Sequence, residues 1–142
     1  MRILQTMGDD LRFVFRNFPL TEIHPHALHA AYAAEAAAFQ DRFWEMHGML
    51  MENQDALEDE DLQDYAQQLD LDVQRWMRDF NSEQVATKVE QDFSSGVRSG
   101  VNGTPTFFIN GVRHDGSFEY PALLSALRKH SASPVRVKVR AR

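Results

Sequence analysis

The chain has 142 residues, of which 43% are hydrophobic and 25% charged, and its formal net charge is −6. This composition is typical of one globular domain with a substantial core and excludes a largely disordered chain. Cysteine is absent, which excludes disulfides, thiolate nucleophiles and cysteine metal sites but does not indicate a compartment.

The N-terminal residues predict the last turns of a helix. Ile3, Leu4 and Met7 have helical spacing, and Gly8 follows where a C-terminal cap would lie. This stretch lacks the apolar core of a signal peptide, and no run in the sequence is long enough to span a bilayer. We therefore expect the chain as written to be cytoplasmic, with the compartment of a full-length parent unknown.

A strand followed by a block of helices is predicted next. Residues 11–15 alternate and are aromatic or β-branched, which is typical of a strand. The alanine-rich stretch 26–39 is a strong helix signal, and residues 41–52 predict a second helix. Three further short helices are expected before Gly96, two of them capped by Asp72 and Ser82. Their expected buried residues include Val85, Val89 and Phe93, together with Trp44 and Trp76 as anchors and Met46, Met49 and Met51 as core.

The C-terminal part predicts a hairpin, a helix and a basic tail. Residues 106–109 and 112–114 predict two strands joined by an Asn110-Gly111 turn, and residues 119–129 predict an amphipathic helix. In the tail, valines at 135, 137 and 139 alternate with basic residues. Without the four basic residues of the last nine positions, eleven basic and twenty-one acidic residues remain. An acidic body repels phosphate backbones, so we expect no nucleic-acid partner.

Four stretches of this sequence resemble the DsbA-like family of thioredoxin-fold proteins. They are LRFVFRNFPL at 11–20, HPHA at 24–27, FWEMH at 43–47 and GVNGTPTFFING at 100–111. Similar thioredoxin-like domains occur alone and fused to sodium–proton antiporters. The resemblance, across about residues 4–129, implies an α/β thioredoxin-like domain over 1–130. It further implies a helical subdomain inserted at about 25–95, and leaves 131–142 as a basic tail.

The resemblance also implies a binding loop and a missing catalyst. In the family, a first strand leads into Cys-x-x-Cys, which forms or reduces disulfides in protein or peptide thiol substrates. A loop with a cis Thr-Pro bond faces the cysteines and binds the substrate, and Gly103, Thr104 and Pro105 match it. By the resemblance, this chain is expected to begin inside the helix that carries the motif, and the sequence has no cysteine. We therefore expect no catalytic residue and no cofactor.

Only a thiolate attacks a disulfide sulfur, so this chain should be inactive in thiol exchange. The interpretations left open are an N-terminally truncated oxidoreductase domain and a cysteine-free relative that binds peptides or proteins through the Pro105 loop. A domain that regulates a membrane transporter is a third.

The missing first strand would leave a slot between the strands at 11–15 and 106–109. A buried backbone group without a partner costs about 1–3 kcal/mol, so we expect the slot to be filled or closed. The candidates are residues 135–139, a strand exchanged from a second subunit in a homodimer, and direct pairing of the two strands.

Two other groups of residues carry side chains of the kinds that form metal or acid–base sites. His24, His26 and His29, with His47, could suggest a zinc site, but helix-start and surface histidines are the favoured interpretation. Glu22, Glu35 and Glu45 lack any partner pattern for acid–base chemistry and are expected on solvated helix faces. We expect no metal site.

Overall fold

The computed structural model describes residues 2–131, which form two compact units. We call residues 16–102 the helical unit, and residues 2–15 together with 103–131 the hairpin unit. In chain order the elements are α1 (Arg2–Met7), a 3₁₀ turn (Gly8–Asp10), α2 (Ala27–Ala38), α3 (Phe43–Glu52), α4 (Asp59–Gln68), α5 (Val73–Phe80), α6 (Glu83–Arg98), β1 (Phe107–Ile109), β2 (Val112–His114) and α7 (Tyr120–Ser131).

The helical unit packs α3, α5 and α6 around α2. Four alanines of α2 are buried, and their small side chains let the neighbouring helices approach closely. Larger side chains complete the core, with Met46 and Leu62 fully buried. Trp76 of α5 is 2% exposed, and its indole Nε1–H donates to the carbonyl oxygen of Ala33 at 3.2 Å. This bond ties α5 to α2.

Side-chain caps begin three of these helices. The carboxylate of Asp72 accepts from the backbone N–H of Arg75 at 3.0 Å, and the hydroxyl of Ser82 accepts from that of Val85 at 3.2 Å. The predicted N-caps of α5 and α6 are therefore confirmed. At α4, Glu58 and Asp61 form a reciprocal capping box. Each cap supplies an acceptor to an N–H that the helix itself leaves unpaired.

The hairpin unit contains an antiparallel pair of strands and two helices. The register pairs Phe107 with His114, Phe108 with Arg113 and Ile109 with Val112, so the predicted hairpin is confirmed. At the turn, Asn110 and Gly111 both have positive φ, 49° and 84°. The hydroxyl oxygens of Thr6 in α1 and Tyr120 in α7 lie 2.8 Å apart, and the guanidinium of Arg2 lies 4.3 Å from the Tyr120 ring centroid.

The predicted strand at residues 11–15 is wrong. The segment keeps an alternating burial, with Leu11, Phe13 and Phe15 half-buried and the two residues between them exposed, but it belongs to no strand. Alternating hydrophobic and polar residues indicate which side chains face the core. A strand also needs a neighbouring strand with which its backbone can form hydrogen bonds. Within residues 2–131 the sheet consists of β1 and β2 alone.

The predicted ways of filling the slot have different outcomes. Direct pairing of residues 11–15 with the strand at 106–109 is not formed, because β1 pairs with β2 alone within residues 2–131. Residues 135–139 lie outside the described residues. The strand exchanged between subunits stays a prediction.

Candidate functional site

The loop predicted to bind substrate lies directly before β1. Thr104 and Pro105 are exposed, and the peptide bond that joins them is cis. The hydroxyl of Thr106 donates to the carbonyl oxygen of Gly103 at 2.7 Å, which holds the two ends of the loop together. Within residues 2–131 the backbone N–H and C=O of Thr104 make no hydrogen bond, so both are available to an extended chain.

The loop is attached to the hairpin, so its position is set by β1. Ile109 is buried, whereas Phe108 on the opposite face is 43% exposed. The strand that follows the loop therefore carries an exposed aromatic side chain four positions after Thr104. The three residues predicted as the substrate loop are consecutive and lie in the hairpin unit, with Thr104 and Pro105 exposed.

The side chains of the loop supply no group able to attack a disulfide. The whole sequence lacks cysteine, and the side chains of Gly103, Thr104 and Pro105 offer one hydroxyl, that of Thr104. Within the described residues, no group of three or more histidines and acids could hold a metal ion. The histidine Nδ1 of His29 instead lies 2.6 Å from the carboxylate of Asp59. The loop therefore offers exposed backbone and no thiol nucleophile.

A partly buried polar network in the helical unit was not found by sequence reasoning. The side-chain amide of Asn17 donates to the carboxylates of Glu35, at 2.6 Å, and of Asp92, at 2.9 Å. Asp92 also accepts from the backbone N–H of Asn17 at 3.1 Å and from the ammonium of Lys88. The network fixes the start of the unit to α2 and α6.

This network corrects two sequence predictions. Glu35 is not on a solvated face, because its side chain is 14% exposed and its carboxylate lies 3.9 Å from the ammonium of Lys88. On α6 the buried residues are Val85, Val89 and Asp92, whereas Phe93 is 36% exposed. The spacing of these three residues, at i, i+4 and i+7, could have revealed an acid in the buried stripe.

The exposed face of α3 corrects two further predictions. Trp44 is 45% and Met51 is 54% exposed, so neither is the core residue that the sequence predicted. Gly48 lies between them on the same face, and a Cβ added there would meet no atom within 4 Å. A glycine in a helix is about 0.5–1 kcal/mol less favourable than alanine. The packing of the helical unit does not require this glycine.

The ring of Trp44 is held by neighbouring rings. It lies edge-to-face against Phe43, with centroids 5.0 Å apart, and against His47, with centroids 5.7 Å apart. His47 is half-buried, and this burial lowers the pKa of its imidazole below the usual 6.5. The imidazole is therefore neutral at neutral pH.

The fold and the loop define a thioredoxin-like domain of mixed α/β class with a small two-stranded sheet. A family model described as Thioredoxin matches residues 4–129, so the chain belongs to this thioredoxin family. No solved structure matches the chain. None of the helices within residues 2–131 combines the length and the apolar character needed to cross a membrane.

The chain is also similar to several sodium–proton antiporters. It is 46% identical over 123 residues to the Na⁺/H⁺ antiporter NhaA 3 of Salinispora tropica, covering 87% of this chain and 19% of that protein. It is 44% identical to NhaA 1 of Salinispora arenicola, over 89% of this chain and 20% of the relative. It is 46% identical to the NhaA of Herminiimonas arsenicoxydans, over 86% of this chain and 20% of that protein. The chain spans about a fifth of the length of these relatives.

Proposed function

We propose that this chain is a DsbA-like thioredoxin domain that binds an extended polypeptide segment at the loop Gly103–Pro105 without exchanging thiols. The observation that carries the proposal is an exposed loop with an available backbone at Thr104, in a chain that has no cysteine. An incoming strand would pair with this backbone, as in other cases of strand addition. The four stretches that resemble the DsbA-like family support the assignment of this loop to substrate binding.

The loop offers a substitution that tests the proposal without disturbing the fold. A Cβ added to Gly103 would meet no atom within 4 Å, and its φ lies outside the left-handed region. Gly103→Gln therefore places a side chain over the loop while the surrounding structure is kept. Ser99→Gln adds the same side chain at an exposed position at the end of α6 and serves as the matched control.

The probe is reduced and carboxymethylated lactalbumin, an unfolded chain without free thiols. Titration calorimetry should show binding to the unmodified chain, weakened at least about fivefold by Gly103→Gln and unchanged by Ser99→Gln. If Gly103→Gln binds the probe as tightly as the unmodified chain does, the loop is not the binding site. In a parallel assay the chain should not accelerate the reduction of insulin by dithiothreitol, and acceleration would overturn the argument from missing cysteine.

A second proposed function follows from the relatives. The similar proteins are named sodium–proton antiporters, and each is matched over about a fifth of its length. We propose that a domain of this kind modulates the transport activity of such an antiporter. The test uses the Salinispora tropica relative with its matching segment deleted, or replaced by this chain. Sodium-dependent proton movement in membrane vesicles should fall on deletion and recover on replacement, and no change on deletion would contradict the proposal.

A further inference from the structure

The exposed face of α3 combines three features that the binding loop does not explain. Trp44, Gly48 and Met51 follow one another at i, i+4 and i+7, so they lie along one stripe of the helix. The two large apolar side chains are about half exposed, and the glycine between them leaves open space. The stripe is therefore a notch with an apolar wall at each end.

The ring of Trp44 is suited to binding because its position is already restricted. Phe43 and His47 hold it from two sides, so a partner that covers it would lose little side-chain entropy. Tryptophan is also among the residues that contribute most to protein interfaces. The neighbouring His47 imidazole is neutral at neutral pH and does not add a charge to this surface.

An acidic segment begins where the notch ends. Residues 52–64 contain seven acidic and no basic residues, and Glu52 directly follows Met51. Glu58 and Asp61 cap α4, and Asp59 lies against His29. The other four acids form no ion pair within residues 2–131, and they are Glu52, Asp55, Glu60 and Asp64. Their charge remains available to a cationic partner.

We propose that this face of α3 docks a basic amphipathic helix. An apolar side chain of that helix enters the notch at Gly48, between Trp44 and Met51. Its lysine or arginine residues lie toward Glu52 and Asp55. A helix fits because small residues let two helix backbones approach closely, with the ridge of one in the groove of the other. The acidic segment selects a basic partner by charge complementarity.

The probe is a Leu/Lys peptide of about 18 residues, or five turns, with leucines at helical spacing. One control peptide has the same composition with leucines at every second position, and another replaces lysine by glutamate. Gly48→Leu fills the notch, and Trp44→Ala removes one wall. Gln91→Leu on α6 and Met77→Ala on α5 are the matched exposed controls. All variants are made in the full chain.

Calorimetry should show that the helical Leu/Lys peptide binds, and that Gly48→Leu and Trp44→Ala each weaken it about tenfold. Gln91→Leu and Met77→Ala should leave the affinity unchanged. Gly48→Leu should also unfold at a higher temperature than the unmodified chain, which separates lost binding from lost folding. The glutamate peptide should not bind.

Three results would overturn the proposal. The first is unchanged binding by Gly48→Leu, and the second is equal binding of the peptide with alternating leucines, which would indicate charge attraction alone. The third is a dimer of the chain in sedimentation that Trp44→Ala dissociates, because a second copy would then occupy the notch. The test does not involve residues 103–105, so it stands or fails separately from the proposed loop function.

Discussion

The helical unit and the hairpin unit differ in what holds their elements in place. The core of the helical unit includes residues of all five of its helices, from the alanines of α2 to Val85 and Val89 of α6. Among the described residues of the hairpin unit, only Ile109 and Leu123 are buried. That unit depends more on local geometry, such as the positive φ angles of its tight turn and the contacts of Tyr120.

Burial of apolar area is the main favourable term in folding, so the two units should differ in local stability. We expect amide hydrogens of α2 and α6 to exchange with solvent far more slowly than those of β1 and β2. The loop proposed to bind an extended segment then lies in the less stable unit. The polar network lies in the more stable one.

The largest expected effect is the loss of a core side chain from the helical unit. Leu62 is fully buried, so Leu62→Ala should lower the free energy of unfolding by about 3–4 kcal/mol. Leu123→Ala, in the hairpin unit, should cost about 2 kcal/mol, because that side chain keeps some contact with solvent. Urea unfolding followed by tryptophan fluorescence, together with hydrogen exchange, measures both. An equal cost at the two positions would contradict the contrast between the units.

The next effect concerns ion pairs in the two units. Asp92→Ala removes the acceptor of three hydrogen bonds and leaves Asn17 and Lys88 without it, and should cost about 3 kcal/mol in urea unfolding. Asp115 pairs with Arg113 at 3.0 Å, but its side chain is 81% exposed. Asp115→Ala should therefore change the free energy of unfolding by less than about 0.5 kcal/mol. If Asp92→Ala is as mild, the network has no structural role.

The helices and the hairpin were predictable from local signals, whereas the conformation of residues 11–15 and the polar network were not. The alanines of α2 and the caps Asp72 and Ser82 act within a few residues of themselves, so their patterns predict helices directly. Residues 11–15 have an equally clear strand pattern, but a ladder depends on a partner elsewhere in the chain. The polar network also depends on a distant partner, because the side-chain amide of Asn17 donates to Asp92, which lies 75 positions away in the sequence.

The features of the candidate site also differ in whether a local sequence signal predicts them. The loop Gly103–Pro105 was predicted because its sequence resembles a family motif that lies within one short stretch. The exposure of Trp44 and the burial of Glu35 depend on which helix covers which face, and periodicity within one helix does not determine this.

A smaller effect is expected at the turn of the hairpin. Gly111 has φ of 84°, a conformation that alanine adopts at a cost of about 1–2 kcal/mol. Gly111→Ala should therefore speed hydrogen exchange at β1 and β2 while exchange in α2 is unchanged. Gly116 is unsuitable as a control because a Cβ there would meet the His114 ring at 2.9 Å. At Gly103 a Cβ would meet no atom within 4 Å and φ is not in the left-handed region, so Gly103→Ala is the matched control. Faster exchange throughout both units would show that their stabilities are not separable.

The smallest effect is a pH dependence located in the helical unit. Burial lowers the pKa of His47 in the folded chain below 6.5, so the unfolded chain takes up the proton more readily. The free energy of unfolding should therefore be highest above about pH 6.5 and fall as the pH decreases through 6.5 toward the folded pKa. His47→Gln should remove this contribution to the slope of the unfolding free energy between about pH 8 and pH 5.5. The variant also loses the ring stacking with Phe43, which should lower the free energy of unfolding by the same amount at every pH. Urea unfolding at both pH values measures the slope, and an identical slope in the variant would show that burial of this imidazole does not contribute.

Since a helix docked over Trp44 would bury His47 further, the bound peptide should lower the pKa of His47 again in an NMR titration. The pKa of His47 thereby also reports whether the peptide docks on this face of α3.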